Sequence, residues 1–322
     1  ENTEPEFGPI SYQQGYRKLL AGPDGRVFIL FSKCIAEVDP GSFKISLDIL
    51  RALSPSDLAF LEFRDRRSLT TVIKITSTNR PLGDINAGWN VHYYCDEFHT
   101  TKDSRHFPPL SEWTRQGFER IGPSSWVNVE SELAKPIMEG RMVAAFRFNA
   151  KGWVSGKGRG AVWRDLVAAD CTMEPQYLIG QKDFEAHANY GYMPGPRLVF
   201  KDVTSATNSR AAIGTYLSRI PCSHSAPFLR VPDGAMATLK LAAIFNSFVF
   251  DGLLRLRMGG LHLTWNFVSV VPVPTYPTVP DTVVFPAARL CLTSEHFAPE
   301  WLAMPDGLRK HQAARHWAIT PH

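Results

Sequence analysis

No apolar run in this chain reaches the roughly 18 residues a membrane-crossing helix needs, so no membrane partner is expected. No C-x-x-C pair occurs among the five cysteines, Cys34, Cys95, Cys171, Cys222 and Cys291. Their odd number and wide spacing argue against a disulfide framework and a thiolate zinc site, and suit a reducing cytoplasm. The first residues, Glu1-Asn2-Thr3-Glu4, include no Met, no basic cluster and no apolar stretch. They do not read as a signal peptide, and the chain is expected to be a piece cut from a longer protein.

Several catalytic patterns are missing too. An amino-methyltransferase needs an Asn/Asp-Pro-Pro-aromatic loop to hold the target amino group; Phe107-Pro108-Pro109-Leu110 lacks both the polar first and the aromatic fourth residue. Gly156-Lys157-Gly158-Arg159-Gly160 has glycines enough for a cofactor loop, but no apolar strand leads into it as that motif requires. It reads better as a basic loop lying against DNA. No Asp or Glu stands two positions before a Lys, which removes the metal-binding core of a PD-(D/E)xK nuclease. No G-x-S-x-G elbow and no Ser-His-Asp or Cys-His order stands out, so a self-contained hydrolase has no catalytic group. His92, Cys95 and His99, followed by Asp103 and His106, resemble a ligand series. In a strand, however, His92 and Cys95 face opposite ways, so surface polarity fits better and no metal is expected there.

What is present is a folded, two-domain-sized chain of 322 residues, 44% hydrophobic and 20% charged. Its charge is segregated: residues 1–140 carry 16 Lys/Arg against 19 Asp/Glu, and residues 141–322 carry 19 against 12. The basic excess is either a face for a polyanion or ordinary solvated surface. Arginine outnumbers lysine 23 to 12, which suits bidentate recognition of guanine or phosphate and equally reflects GC-rich coding.

The pattern predicts an α+β architecture of mixed or antiparallel sheets with a buried central helix. Two subdomains, 1–135 and 136–322, are expected, the break falling in a proline-rich stretch. Strands are predicted at Val27–Phe31, Val72–Thr76, Trp89–Cys95, Met142–Phe148 and Arg197–Lys201, with an extended stretch over His262–Val273. Ser54 reads as the N-cap of one helix. Asn208 reads as the cap of a second, running to about Leu217. Asp233 and Gly259-Gly260 bracket a third over Ala235–Met258, apolar on nearly every face.

Lys201, Thr204, Asn208 and Arg210 converge in this reading on one helix N-terminus. Free backbone N–H groups, small hydroxyls and an arginine there would make a phosphate cradle. The competing picture is a capped helix whose Arg210 faces solvent or pairs with Asp202. Ser223-His224-Ser225, in a proline-bounded loop, is short and polar enough to reach a base edge. Arg255 and Arg257 end the long helix, where they suit its dipole and could also meet phosphate.

The order of segments from Arg197 to Pro274 resembles the recognition region of single-chain type IIG restriction–modification enzymes and of BREX-type phage-defence adenine methyltransferases. The similar pieces are Arg197–Arg210, the loop Ile220–Pro227, the helix Leu241–Asp251, Arg255–Leu263 and a Val-Pro-Val-Pro exit. Glu139-Gly140-Arg141-Met142, Trp89-Asn90-Val91, Thr101–Ser104 and Leu292–Phe297 extend the resemblance back to about residue 45. It implies a target-recognition fragment that reads double-stranded DNA for an upstream methyltransferase domain of the same parent chain. That absent domain would use S-adenosylmethionine to methylate adenine N6, with or without an endonuclease activity in the parent. The fragment itself would hold no cofactor. The DNA contacts so expected are Lys157, Arg159, Arg164, Lys201, Thr204, Asn208, Arg210, Ser223, His224, Ser225, Arg255, Arg257 and His262. The alternative is a protein-interaction or scaffold module of a defence complex, its basic face incidental.

Overall fold

A computed structural model describes residues 66–167 and 171–305, together with short pieces before residue 62. The class is α+β, with helices and several antiparallel sheets. Two compact units are each woven from separated segments. One takes Glu1–Ala87, Thr204–Ala211 and Val249–Thr275; the other takes Gly88–Val203, Ala212–Phe248 and Tyr276–His322. The expected break at 135 is not where the units divide, because residue 135 lies inside a strand of the second unit.

In the first unit, Lys18–Ala21, Arg26–Leu30 and Ile45–Ser46 form an antiparallel three-stranded sheet, which includes most of the strand expected at Val27–Phe31. The expected strand at Val72–Thr76 is instead part of a helix, Arg66–Thr78. Its β-branched residues suggest a strand, but the buried residues Leu69 and Val72 are three apart, the spacing of a helical face. Arg80–Pro81 pairs antiparallel with Pro272–Val273. The expected extended stretch before Pro272 is broken by a short helix, Trp265–Val268. The cap expected at Ser54 lies outside the described residues.

The second unit holds the larger core. In chain order its strands are β1 (His92–Tyr94), β2 (Glu119–Gly122), β3 (Ser125–Val127), β4 (Leu133–Pro136), β5 (Lys151–Ser155) and β6 (Val162–Asp165). They continue with β7 (Leu178–Gly180), β8 (Arg197–Phe200), β9 (Gly214–Leu217) and β10 (Phe228–Arg230). The helices used below are α1 (Gln181–His187), α2 (Gly234–Phe245) and α3 (Val284–Cys291). One sheet has the order β9-β8-β10-β1, another β7-β4-β3-β2, and β5 with β6 forms a separate hairpin. Every residue of β8 and β9 is buried, so this sheet is covered on both faces. On one face Phe245 of α2 packs on Phe200, ring centroids 5.4 Å apart.

The expected helix over Ala235–Met258 is two helices, α2 and Phe248–Arg255. Asn246 explains the break. Its side chain accepts from the Gly214 N–H at 3.0 Å and donates to the Gly214 carbonyl at 2.8 Å, fastening the end of α2 to the start of β9. A third bond, 2.9 Å, runs to the carbonyl of Ala242, which also accepts the backbone N–H of Asn246. Met142–Phe148 is not a strand either: Ala144 and Arg147 exchange backbone hydrogen bonds across a tight turn, with Phe146 at a φ of 62°. The buried positions there are Met142, Val143 and Phe148, which do not alternate. Among the described residues no single helix is long and apolar enough to cross a membrane.

Candidate nucleic-acid interface

The loop around Ser223 is held on both sides by the backbone. The Ser223 N–H donates to the Met138 carbonyl at 2.8 Å, and the Met138 N–H to that of Pro221 at 2.8 Å. On the other side the His224 N–H donates to the Phe98 carbonyl at 2.9 Å. Beneath the loop lies an ion pair whose two side chains are wholly buried: Arg197 Nη1 donates to Glu97 Oε2 at 2.7 Å. The same carboxylate oxygen accepts from the Cys222 N–H at 2.7 Å, and the guanidinium lies 4.1 Å above the Phe228 ring. A buried charge is tolerated only when paired and hydrogen-bonded, so Glu97 and Arg197 fix the loop rather than contact solvent.

Ser225 joins the loop to the chain on either side of it. Its hydroxyl accepts from the Gly140 N–H at 3.0 Å, and its carbonyl accepts from the Asp202 N–H at 3.3 Å. A Cβ on Gly140 would sit 2.3 Å from that carbonyl oxygen, so only glycine allows the approach. Arg141 follows Gly140 and Lys201 precedes Asp202, so one serine brings both cations to the same loop. Arg141 is exposed and donates to the Ala161 carbonyl at 3.1 Å, which ties it to the β5–β6 connection. Lys151 opens β5 and lies 3.3 Å from Asp165, itself largely exposed.

The electrostatics at Lys201 are unusual. Its ammonium is half-buried and has no hydrogen-bonding or carboxylate partner among the described residues. Its pKa is lowered, first by burial and then by the positive charges of Lys151 and Arg141. The acid next to them does little to offset this. Burial pushes the Glu139 carboxyl up to about 7 against the pull of Arg141, and Glu139 Oε2 is buried without a hydrogen bond. Near neutral pH, Lys201 therefore faces two cations, Arg141 with a half-protonated acid beside it and Lys151 with an exposed one. Such a site is well suited to an anion that brings its own charge.

Other expected contacts in this unit fall around the same loop with different exposure. Ser223 is buried, and its hydroxyl is 2.9 Å from that of Ser225, so it is a scaffold residue and not a base reader. The His224 ring is partly exposed and stacks on His99 at 4.6 Å. Burial, then His99, lowers its pKa. Lys157 is exposed on the β5–β6 connection; the Arg159 side chain lies outside the described residues. Gly156, at a φ of 77°, would bring a Cβ to 2.4 Å from the Gly160 carbonyl oxygen. The five-residue loop is thus a compact hairpin connection leading into an antiparallel strand, with no helix N-terminus to receive a cofactor phosphate. Arg164 is exposed and bridged to Glu174 at 2.5 Å.

The remaining expected contacts belong to the first unit. No helix starts at Asn208; residues 208–213 are irregular and lead into β9. The N–H of Ala211 donates to the side chain of Asp251 at 2.7 Å, a bond that replaces a helical one. Asp251 also lies 3.5 Å from Arg210 and 3.0 Å from Arg255, and Arg255 donates to the Asn208 carbonyl. Arg210 is thus paired with Asp251, not with Asp202 as the structural alternative had it. No helix N-terminus at Asn208 presents the free N–H groups of the expected phosphate cradle. Arg257 donates to the Leu53 carbonyl at 2.8 Å. Thr204 is buried, its N–H bonded to the Leu261 carbonyl, whereas His262 is exposed.

Arg141, Lys151 and Glu139 were not singled out as contacts from sequence, although Glu139-Gly140-Arg141-Met142 was among the similar pieces. The usable signal was Gly140, a glycine beside an acid and a base. Neither a protein-family model nor a curated protein matches the chain.

Proposed function

We propose that this chain is the DNA target-recognition part of an N6-adenine DNA methyltransferase, gripping the duplex backbone through Arg141, Lys151 and Lys201. The carrying observation is Lys201, a half-buried ammonium that faces two other cations and has no carboxylate partner among the described residues. A backbone phosphate placed there would relieve their mutual repulsion and release condensed counterions. Lys157, exposed on the connection tied to Arg141, and His224, partly exposed on the loop built over Glu97 and Arg197, are the side chains offered for base edges. The upstream domain of the parent would bind S-adenosylmethionine and supply the methyl group; this chain positions the duplex. A cytoplasmic setting suits the five widely spaced cysteines, which include no C-x-x-C pair.

Fluorescence anisotropy with a labelled duplex tests the reading. Affinity should fall steeply between 50 and 200 mM salt, on the order of a thousandfold if several phosphates are held. A scaffold module of a defence complex would instead show no binding, or binding insensitive to salt.

A further inference from the structure

His106, Asp183 and His187 belong to neither the DNA site nor the core, yet their donor atoms lie within 4.8 Å of one another. Asp183 and His187 stand one turn apart on α1, His187 Nε2 being 3.7 Å from Asp183 Oδ1. His106 Nδ1 approaches the same oxygen to 4.0 Å, and the two imidazoles stack at 4.3 Å. We propose that these three residues form a site for a first-row divalent transition metal of the zinc(II) type, a site that does not depend on the DNA-binding reading.

The backbone under the three donors is rigid. Phe107, next to His106, and Phe184, next to Asp183, are fully buried in one cluster with Phe98, Ile137 and Ile179. Phe98 lies 6.2 Å from Phe107 and 6.1 Å from Phe184 by ring centroids, so both supporting segments are locked to one core. Two imidazoles and one carboxylate are a borderline donor set that favours zinc, nickel or cobalt over magnesium or calcium, and three protein ligands leave a position for water. Zinc–nitrogen bonds of about 2.0–2.1 Å would draw the donors closer together, by turning the half-exposed His187 ring and the Asp183 carboxylate.

Arg105 opposes the metal in the present geometry. Its Nε donates to His106 Nε2 at 3.0 Å, which keeps the ring proton on Nδ1, the ligating atom. Metal binding must displace that proton and release Arg105 to solvent. The ring proton moves to Nε2, where it opposes the Arg105 N–H, so the site should tighten when the arginine is removed.

Calorimetric titration of the full chain with zinc chloride should show one equivalent bound. His187→Ala and Asp183→Asn should each weaken binding by at least about tenfold, and Arg105→Ala should strengthen it severalfold. Melting curves should show each variant still folded. Cobalt(II) in place of zinc should give the absorption of a low-coordinate nitrogen–oxygen site, lost in His187→Ala. Absence of stoichiometric binding, or zinc binding unchanged in both the His187 and Asp183 variants, would overturn the proposal.

Discussion

Two groups of cations in this protein have opposite surroundings. Around Asp251, Arg210 and Arg255 converge on a carboxylate that is almost wholly buried and also caps the N–H of Ala211. Around Ser225, the half-buried Lys201 faces Arg141, which has the half-protonated Glu139 beside it, and Lys151, whose partner Asp165 is largely exposed. In the first group two guanidiniums share one buried carboxylate, and the arrangement holds a fold together. In the second, Lys201 has no carboxylate partner among the described residues. Counting basic residues cannot separate these cases; the position of the counter-charge does.

The largest effect should come from the group around Asp251. Asp251→Ala leaves two arginines and an N–H without their shared acceptor, and breaking a buried pair costs about 3–5 kcal/mol. Thermal melting should show that loss while DNA affinity of the folded protein holds. Unchanged melting with weakened DNA binding would put Arg210 and Arg255 in the interface and dissolve the contrast.

Glu139 gives a pH signature on the other side. Its folded pKa of about 7 exceeds the ordinary 4.5, so the unfolded chain ionises first and the fold favours the protonated form. Stability from this group is complete below about 4.5 and is lost as pH rises towards 7, to an extent on the order of 3 kcal/mol. Glu139→Gln should flatten that part of the stability–pH curve in denaturant titrations. It should also tighten DNA binding at pH 8, where the wild-type carboxylate offsets the cations. A curve unchanged by the substitution would mean that Glu139 is solvated.

Lys201→Met should reverse the pattern seen at Asp251. The variant should melt at or above the wild-type temperature, because it removes an unpaired, half-buried charge. Its DNA affinity should fall for all sequences alike, with the salt slope reduced by about one. Arg164→Ala should do least: an exposed pair with Glu174 is worth about 0–1 kcal/mol. A large loss of DNA binding there would extend the interface along β6.

What could be read from sequence was whatever local pattern determines. The buried strand from Arg197, the proline-bounded loop and the apolar run that forms α2 follow from short-range composition. What could not be read depended on distant partners. Asn246 ends α2 because β9 offers it a backbone to bond, and Asp251 dissolves the expected helix at Asn208 from 40 residues away. Gly156–Gly160 joins the two strands of the β5–β6 hairpin, a pairing that its run of glycines does not specify. The cation site was half legible: Lys201 was singled out, but Lys151 and Arg141 meet it only through Ser225 and Gly140.

The central claim is that the Lys201 ammonium is held in an unneutralised site awaiting a phosphate. Carbon-13-labelled lysine NMR, with the Lys201 signal assigned by substitution, tests this most directly by titrating the side chain with and without a DNA duplex. The account predicts a pKa below the ordinary lysine range in the free protein and a rise when duplex is added. An ordinary value in the free protein that does not move when DNA is added would contradict it.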